Sequence, residues 1–188
     1  MSTRNVCLIV ALTAVCIVSN YALIGLPNVK VADLIVFVAG FCFGSMAGAA
    51  TGALTWIVYG VLNPLGFSFP VWISTIVGEA IYGIVGGIIG MAHSGKLRAG
   101  SRVSACSLEM ALWGFILTFI YDLITNVVFA LTFGIPIIYA LATGWLVPPW
   151  FGILHEGSNT ILFSLAAIPL IRVIKNIKGG ERHGCSAS

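Results

Sequence analysis

The chain has 188 residues, 59% of them hydrophobic and only 8% charged, with a mean hydropathy of +1.07 and a formal net charge of +3. Soluble domains carry roughly 25% charged residues, so this composition cannot cover a water-facing surface. It excludes a soluble enzyme or a nucleic-acid-binding module and points to one integral membrane domain over residues 1–188, an all-α bundle of six transmembrane helices. The five cysteines (Cys7, Cys16, Cys42, Cys106, Cys185) show no C-x-x-C spacing and read as free thiols rather than disulfides or a zinc site.

The first predicted helix covers residues 6–24 and the loop after it holds Pro27 and Lys30. The apolar run from Asp33 to Leu62 would rise ~45 Å as one helix, too long for a ~30 Å hydrocarbon core. It therefore divides into helices over 33–46 and 49–62, turning near Ser45–Gly48. Asn63-Pro64-Leu65-Gly66 breaks the chain, and a fourth helix follows over 70–91 with Pro70 in its first turn. The polar stretch His93–Ser104 is a loop, and the fifth and sixth helices cover 106–132 and 150–174. Residues 133–149 are apolar but bracketed by Pro136 and Pro148-Pro149. The helix they allow rises only ~16 Å, too short to span, so the segment reads as interfacial or re-entrant.

The positive-inside rule tests this count. With six spans and both termini cytoplasmic, the inside carries Arg4, Lys96, Arg98, Arg102, Arg172, Lys175, Lys178 and Arg182, and the outside only Lys30. An alternative for the N-terminus is a cleaved secretory signal, since Arg4 precedes a short apolar stretch, although no small-x-small site follows it cleanly.

Glycines recur at four-residue steps, as Gly40, Gly44, Gly48 and Gly52, and the fourth helix adds Gly83, Gly86, Gly87 and Gly90. Such spacing lets helix backbones approach closely within the bundle or against another membrane subunit.

Ionisable groups inside a membrane are costly, at least ~2.5 kcal/mol at mid-bilayer even on gentle scales, and need a reason. Four acids fall inside the predicted helices: Glu79, Glu109, Asp122 and Glu156. Counting rise from the helix ends puts Glu79, Asp122, Glu156 and Asn159 roughly 9–15 Å below the outer surface. Glu109 sits at the inner end and snorkels. Asp122, Thr125 and Asn126 share one face of the fifth helix, with Thr118 a turn away, and His155, Glu156 and Asn159 are assigned to one face of the sixth. Glu79 shares a stripe with Tyr82. Aromatics gather at the same outer level, among them Trp56, Tyr59, Trp72, Trp145 and Phe151. The reading is a polar ligand pocket made by Glu79, Tyr82, Asp122, Asn126, His155, Glu156, Asn159 and Trp72.

Two motifs fail on inspection. Gly90–Lys96 has the spacing of a phosphate loop, but Leu97 replaces the required Ser or Thr and no strand precedes it. His155-Glu156-Gly157-Ser158-Asn159 lacks the second histidine of a zinc helix. No catalytic residue, cofactor or metal is expected.

Several stretches resemble the substrate-specific S component of energy-coupling factor (ECF) vitamin transporters. Phe43-Gly44-Ser45-Met46-Ala47-Gly48-Ala49-Ala50-Thr51-Gly52-Ala53-Leu54 resembles that family's F-G-P-L-A-G-A-L-V-G-A-L turn between its second and third helices, with Ser45 where the family has proline. Asp122-Leu123-Ile124-Thr125-Asn126 and His155–Asn159 resemble its fifth and sixth helices. Cys7, Ala11 and Ala14 stand loosely where the family's first helix carries its A-x-x-x-A docking motif. The resemblance implies a plasma-membrane protein that captures a vitamin or precursor from outside, beneath the loop after the first helix. It implies as partners a transmembrane coupling subunit and two ATPases. Buried acids with no basic residue at their depth favour a cationic or donor-rich ligand, such as a thiamine-, pyrimidine- or flavin-like compound. The alternatives are a stand-alone proton- or cation-coupled carrier using the same acids and, further off, an intramembrane enzyme.

Overall fold

The computed structural model describes residues 3–63, 66–93, 103–146 and 150–184, the side chains of 103–105 and 178–184 apart. Lys96, Arg98, Arg102, Pro148, Pro149, Cys185 and residues 94–96 of the phosphate-loop-like stretch therefore lie outside the described residues. The elements are α1 (Thr3–Ala22), α2 (Ala32–Phe43), α3 (Ser45–Val61), α4 (Phe69–Ala92), α5 (Val103–Phe133), α6 (Ile137–Leu146), α7 (Phe151–Leu162), a π-helical turn (Phe163–Ala167) and α8 (Ile168–Gly184). No strand occurs among the described residues. Among the described residues, four stretches are long and apolar enough to cross a membrane: Thr3–Ala22, Phe69–Ala92, Cys106–Phe133 and Phe151–Ile177.

The long run after Lys30 breaks at one residue. Gly44 has φ +97°, a backbone conformation open to glycine and strained for other residues. Its N–H still closes on Gly40 O at 2.8 Å, and Ser45 then opens α3. The Ser45 hydroxyl reaches across to Ile84 O at 3.0 Å, pinning the corner to α4. The turn thus falls one residue before the stretch expected for it.

Glycines make the centre of the bundle. A Cβ on Gly48 would lie 2.6 Å from Gly40 Cα and 2.7 Å from Gly83 Cα, inside any real contact. The expected small-residue packing is therefore internal: α2, α3 and α4 meet backbone against backbone. α2 carries an almost unbroken buried run from Ala32 to Phe41, so it lies in the middle of the helix cluster. α1 buries a single stripe, Ile9, Thr13, Cys16 and Asn20, at helical spacing. Cys7, Ala11 and Ala14 lie on its opposite, exposed face.

The segment read as interfacial contains a helix of ten residues, Ile137–Leu146. It follows Gly134 at φ +66°, where Ile135 N–H caps Ala130 O at 2.9 Å and ends α5. The sequence reading had no signal for the π turn at Phe163–Ala167. It seats Phe163, fully buried, against Phe37 (centroids 5.1 Å apart) and Tyr82 (6.3 Å).

Candidate ligand site

At the end of the bundle carrying the α1–α2 loop lies a cavity of about 620 Å³, within the usual ~300–1,000 Å³ of small-molecule sites. Residues 23–30 roof it, Trp56 and Tyr59 of α3 and Thr75 of α4 form one side, and Tyr121, Asp122 and Asn126 of α5 form the other. The roof is tied down where Asn28, itself at φ +53°, donates its amide to Phe151 O at 3.0 Å. Tyr21, at the end of α1, donates to Leu62 O at 3.2 Å.

Beneath the floor runs a buried polar network spanning α2, α5 and α7. His155 bridges two carboxyl groups, with Nδ1 2.9 Å from Asp122 Oδ1 and Nε2 2.7 Å from Asp33 Oδ2. Asn159 donates to the same Asp33 oxygen at 2.7 Å and to Thr118 Oγ1 at 2.8 Å. Tyr82 donates to Thr118 at 2.8 Å, and Thr118 passes its own proton to Gly114 O at 2.6 Å. Asp33, Thr118, Tyr82, His155 and Asn159 are each exposed by 1% or less. Helical spacing builds this: Thr118 and Asp122 stand four apart on α5, and so do His155 and Asn159 on α7.

The expected residues therefore divide. Asp122, His155 and Asn159 meet directly, with Tyr82 joined through Thr118. Asn126 lines the cavity and steadies itself on Asp122 O at 2.7 Å. Glu79 lies fully buried behind the wall and accepts the Trp56 indole N–H at 3.1 Å. Trp72 stands beside a smaller cavity of about 110 Å³ and donates to Trp56 O at 2.8 Å, so it holds Trp56 in place. Glu156 turns away from the network and accepts the Trp145 indole N–H of α6 at 2.6 Å. Glu156 is buried on the same side of α7 as His155 and Asn159, since Asn159 follows the two by three and four residues; what differs is its partner, Trp145 of α6 instead of the Asp33–His155 network.

Two residues escaped the sequence reading. Asp33 lies in the first turn of α2, where the sequence marks only the start of a helix, and its Oδ2 joins His155 to Asn159. Lys30 was counted only as an outside charge. Its ammonium folds into the cavity wall, 4.9 Å from the Trp56 ring centroid and 4.9 Å from that of Tyr121. The expectation that no base reaches the depth of the acids is thereby overturned. The signal available was proximity: Lys30 precedes Asp33 by three residues.

Some buried polar atoms find no protein partner. They are both amide atoms of Asn20, Asp33 Oδ1, Glu79 Oε1, Asp122 Oδ2, Asn159 Oδ1 and, in the middle of α1, Thr13 Oγ1. Buried polar groups are almost always paired, so such a cluster calls for a reason. Asn20 and Asp122 are residues of the cavity wall, but their unpartnered atoms are themselves buried within it. Among the described residues, no group of three or more His, Cys, Asp and Glu side chains is arranged to hold a metal ion.

The chain matches no family model, no curated protein and no solved structure. The site is read from its own geometry.

Proposed function

We propose that this chain is the substrate-capturing membrane subunit of an ECF-type importer, not an enzyme, and that its cavity holds a small, ring-bearing, water-soluble vitamin or precursor. The observation that carries the capture reading is a 620 Å³ cavity whose wall combines aromatic rings (Trp56, Tyr59, Tyr121) with polar residues (Asn20, Asp122, Asn126). Aromatic faces (Trp56, Tyr59, Tyr121) supply stacking surface, and the buried network beneath keeps the polar groups in fixed orientation. The ECF assignment rests on the sequence resemblance. In that reading the two short helices α2 and α3 complete six membrane-crossing segments, both termini are cytoplasmic, and the cavity opens to the outside of the plasma membrane. Cys7, Ala11 and Ala14, exposed on α1, face the coupling subunit.

A second reading is favoured by one feature. The Asp33–His155–Asp122 chain has the form of an intramembrane proton relay, as in self-sufficient carriers. Affinity isolation of the tagged chain from its own cell membranes separates the two. Co-purification of a coupling subunit and two ATPases supports the ECF reading. Uptake by the purified chain alone in liposomes, driven by a pH gradient, supports the carrier and refutes the ECF assignment.

A further inference from the structure

The cavity already contains a cation, and that cation belongs to the chain. Lys30 lines the cavity and places its ammonium over two ring faces, Trp56 and Tyr121, whose centroids are 6.4 Å apart with their planes tilted by 38°. Each ring is backed by carboxyl groups. Trp56 donates its indole N–H to Glu79, and Tyr121 packs edge-on against His155 (5.6 Å), which bridges Asp33 and Asp122. A pair of electron-rich ring faces with carboxyl groups behind them is a surface suited to an organic cation. Lys30 sits on the roof loop, so its ammonium is tethered there by a few residues of chain. Asn20 and Asp122 belong to the wall of the same cavity.

We propose that Lys30 is a tethered stand-in for the positively charged ring of the ligand: the ligand's cation takes the place between Trp56 and Tyr121, and the flexible Lys30 side chain swings out of it. This rests on the capture reading and adds the charge of the ligand and the residue that competes with it. The effective affinity for a cationic ligand is then lowered by the fraction of molecules in which Lys30 holds the subsite. An opposite role, Lys30 remaining in place to pair with an anionic group of the ligand, predicts the reverse dependence on this side chain.

The test uses the full-length purified chain in lipid nanodiscs, as wild type, Lys30→Met and Lys30→Arg. Binding is measured by calorimetry and Trp fluorescence for four probes. Tetramethylammonium is a bare cation, thiamine a flat cation, riboflavin a flat uncharged ring and biotin an anion. Methionine keeps the length and apolar stem of lysine without its charge. The expected result is that both cationic probes bind Lys30→Met roughly 2- to 30-fold more tightly than wild type, the range that an ammonium held on aromatic faces contributes. Lys30→Arg stays within about threefold of wild type, since it keeps the competing cation. Cation binding that is unchanged or weaker in Lys30→Met overturns the proposal. So does biotin binding that is present in wild type and lost in Lys30→Met, or failure of both cations to bind Lys30→Met. Riboflavin or biotin binding in that last case leaves the capture reading standing, whereas silence from all four probes, with no small molecule co-purifying, removes both.

Discussion

Replacing Asp33 by alanine tests the network at its hub. One carboxylate oxygen, Oδ2, accepts both His155 Nε2 and Asn159 Nδ2, each at 2.7 Å, in a site exposed by 1%. Truncation leaves two buried polar groups, His155 Nε2 and Asn159 Nδ2, without this partner. Hydrogen bonds to charged groups contribute about 1.5–3 kcal/mol each in soluble proteins, while membrane-protein double-mutant cycles average about 0.6 kcal/mol because the unfolded chain also finds partners. Two bonds, both charge-assisted and both fully buried, put the loss between these limits, about 2–4 kcal/mol. Asp33→Asn serves as the comparison: its side-chain carbonyl can still accept from both donors, so about half the loss or less is expected. The assay is equilibrium unfolding in mixed SDS and dodecylmaltoside micelles, followed by Trp fluorescence. If Asp33→Ala unfolds within about 0.5 kcal/mol of wild type, the bond energies assigned above are wrong. If Asp33→Asn is as damaging as Asp33→Ala, charge rather than bond geometry governs the hub.

Three further outcomes are expected. Gly48→Leu abolishes folding, measured as loss of the monodisperse peak in detergent, because its side chain would enter the backbones of Gly40 and Gly83; Gly25→Ala, where nothing lies within 4 Å, leaves the peak unchanged. Asn126→Ala weakens binding of the captured molecule about tenfold, as loss of a polar wall contact should, whereas Glu156→Gln changes it by less than about threefold because that carboxyl faces Trp145; calorimetry checks both. In single-cysteine variants, maleimide modifies Cys7 readily in detergent and leaves Cys16 unmodified until the protein is denatured, since the first is exposed and the second buried.

How much of this was legible beforehand depended on the kind of signal. The i, i+4 pairs Asp122/Asn126 and His155/Asn159 could be read because helical period is a local property. The glycine ladder could be read as close packing, but which helices it joins is a tertiary fact, and only the structure brings Gly40, Gly48 and Gly83 together. Glu156 shares the buried side of α7 with His155 and Asn159, but its partner Trp145 comes from α6, a contact that spacing within one helix does not encode. Asp33 and Lys30 were passed over for a common reason. Residues at helix ends and in loops are counted as interfacial, and nothing local tells whether a four-carbon stem runs outward to water or folds inward over two rings. The ten-residue helix α6 was recognised as too short to cross, while its role in receiving Glu156 through Trp145 depends on a contact between segments that sequence spacing does not encode.

The central claim is that the cavity beneath the roof loop captures a small molecule, and mass spectrometry of what co-purifies with the chain tests it most directly. Wild type and Asn126→Trp, whose indole fills space beside Asp122, are purified identically from cells and extracted. The account predicts one ring-bearing compound at near-stoichiometric amount with wild type and its loss from the variant, at similar thermal stability. The same compound retained at equal amount by Asn126→Trp, or no compound above trace with either protein, contradicts it.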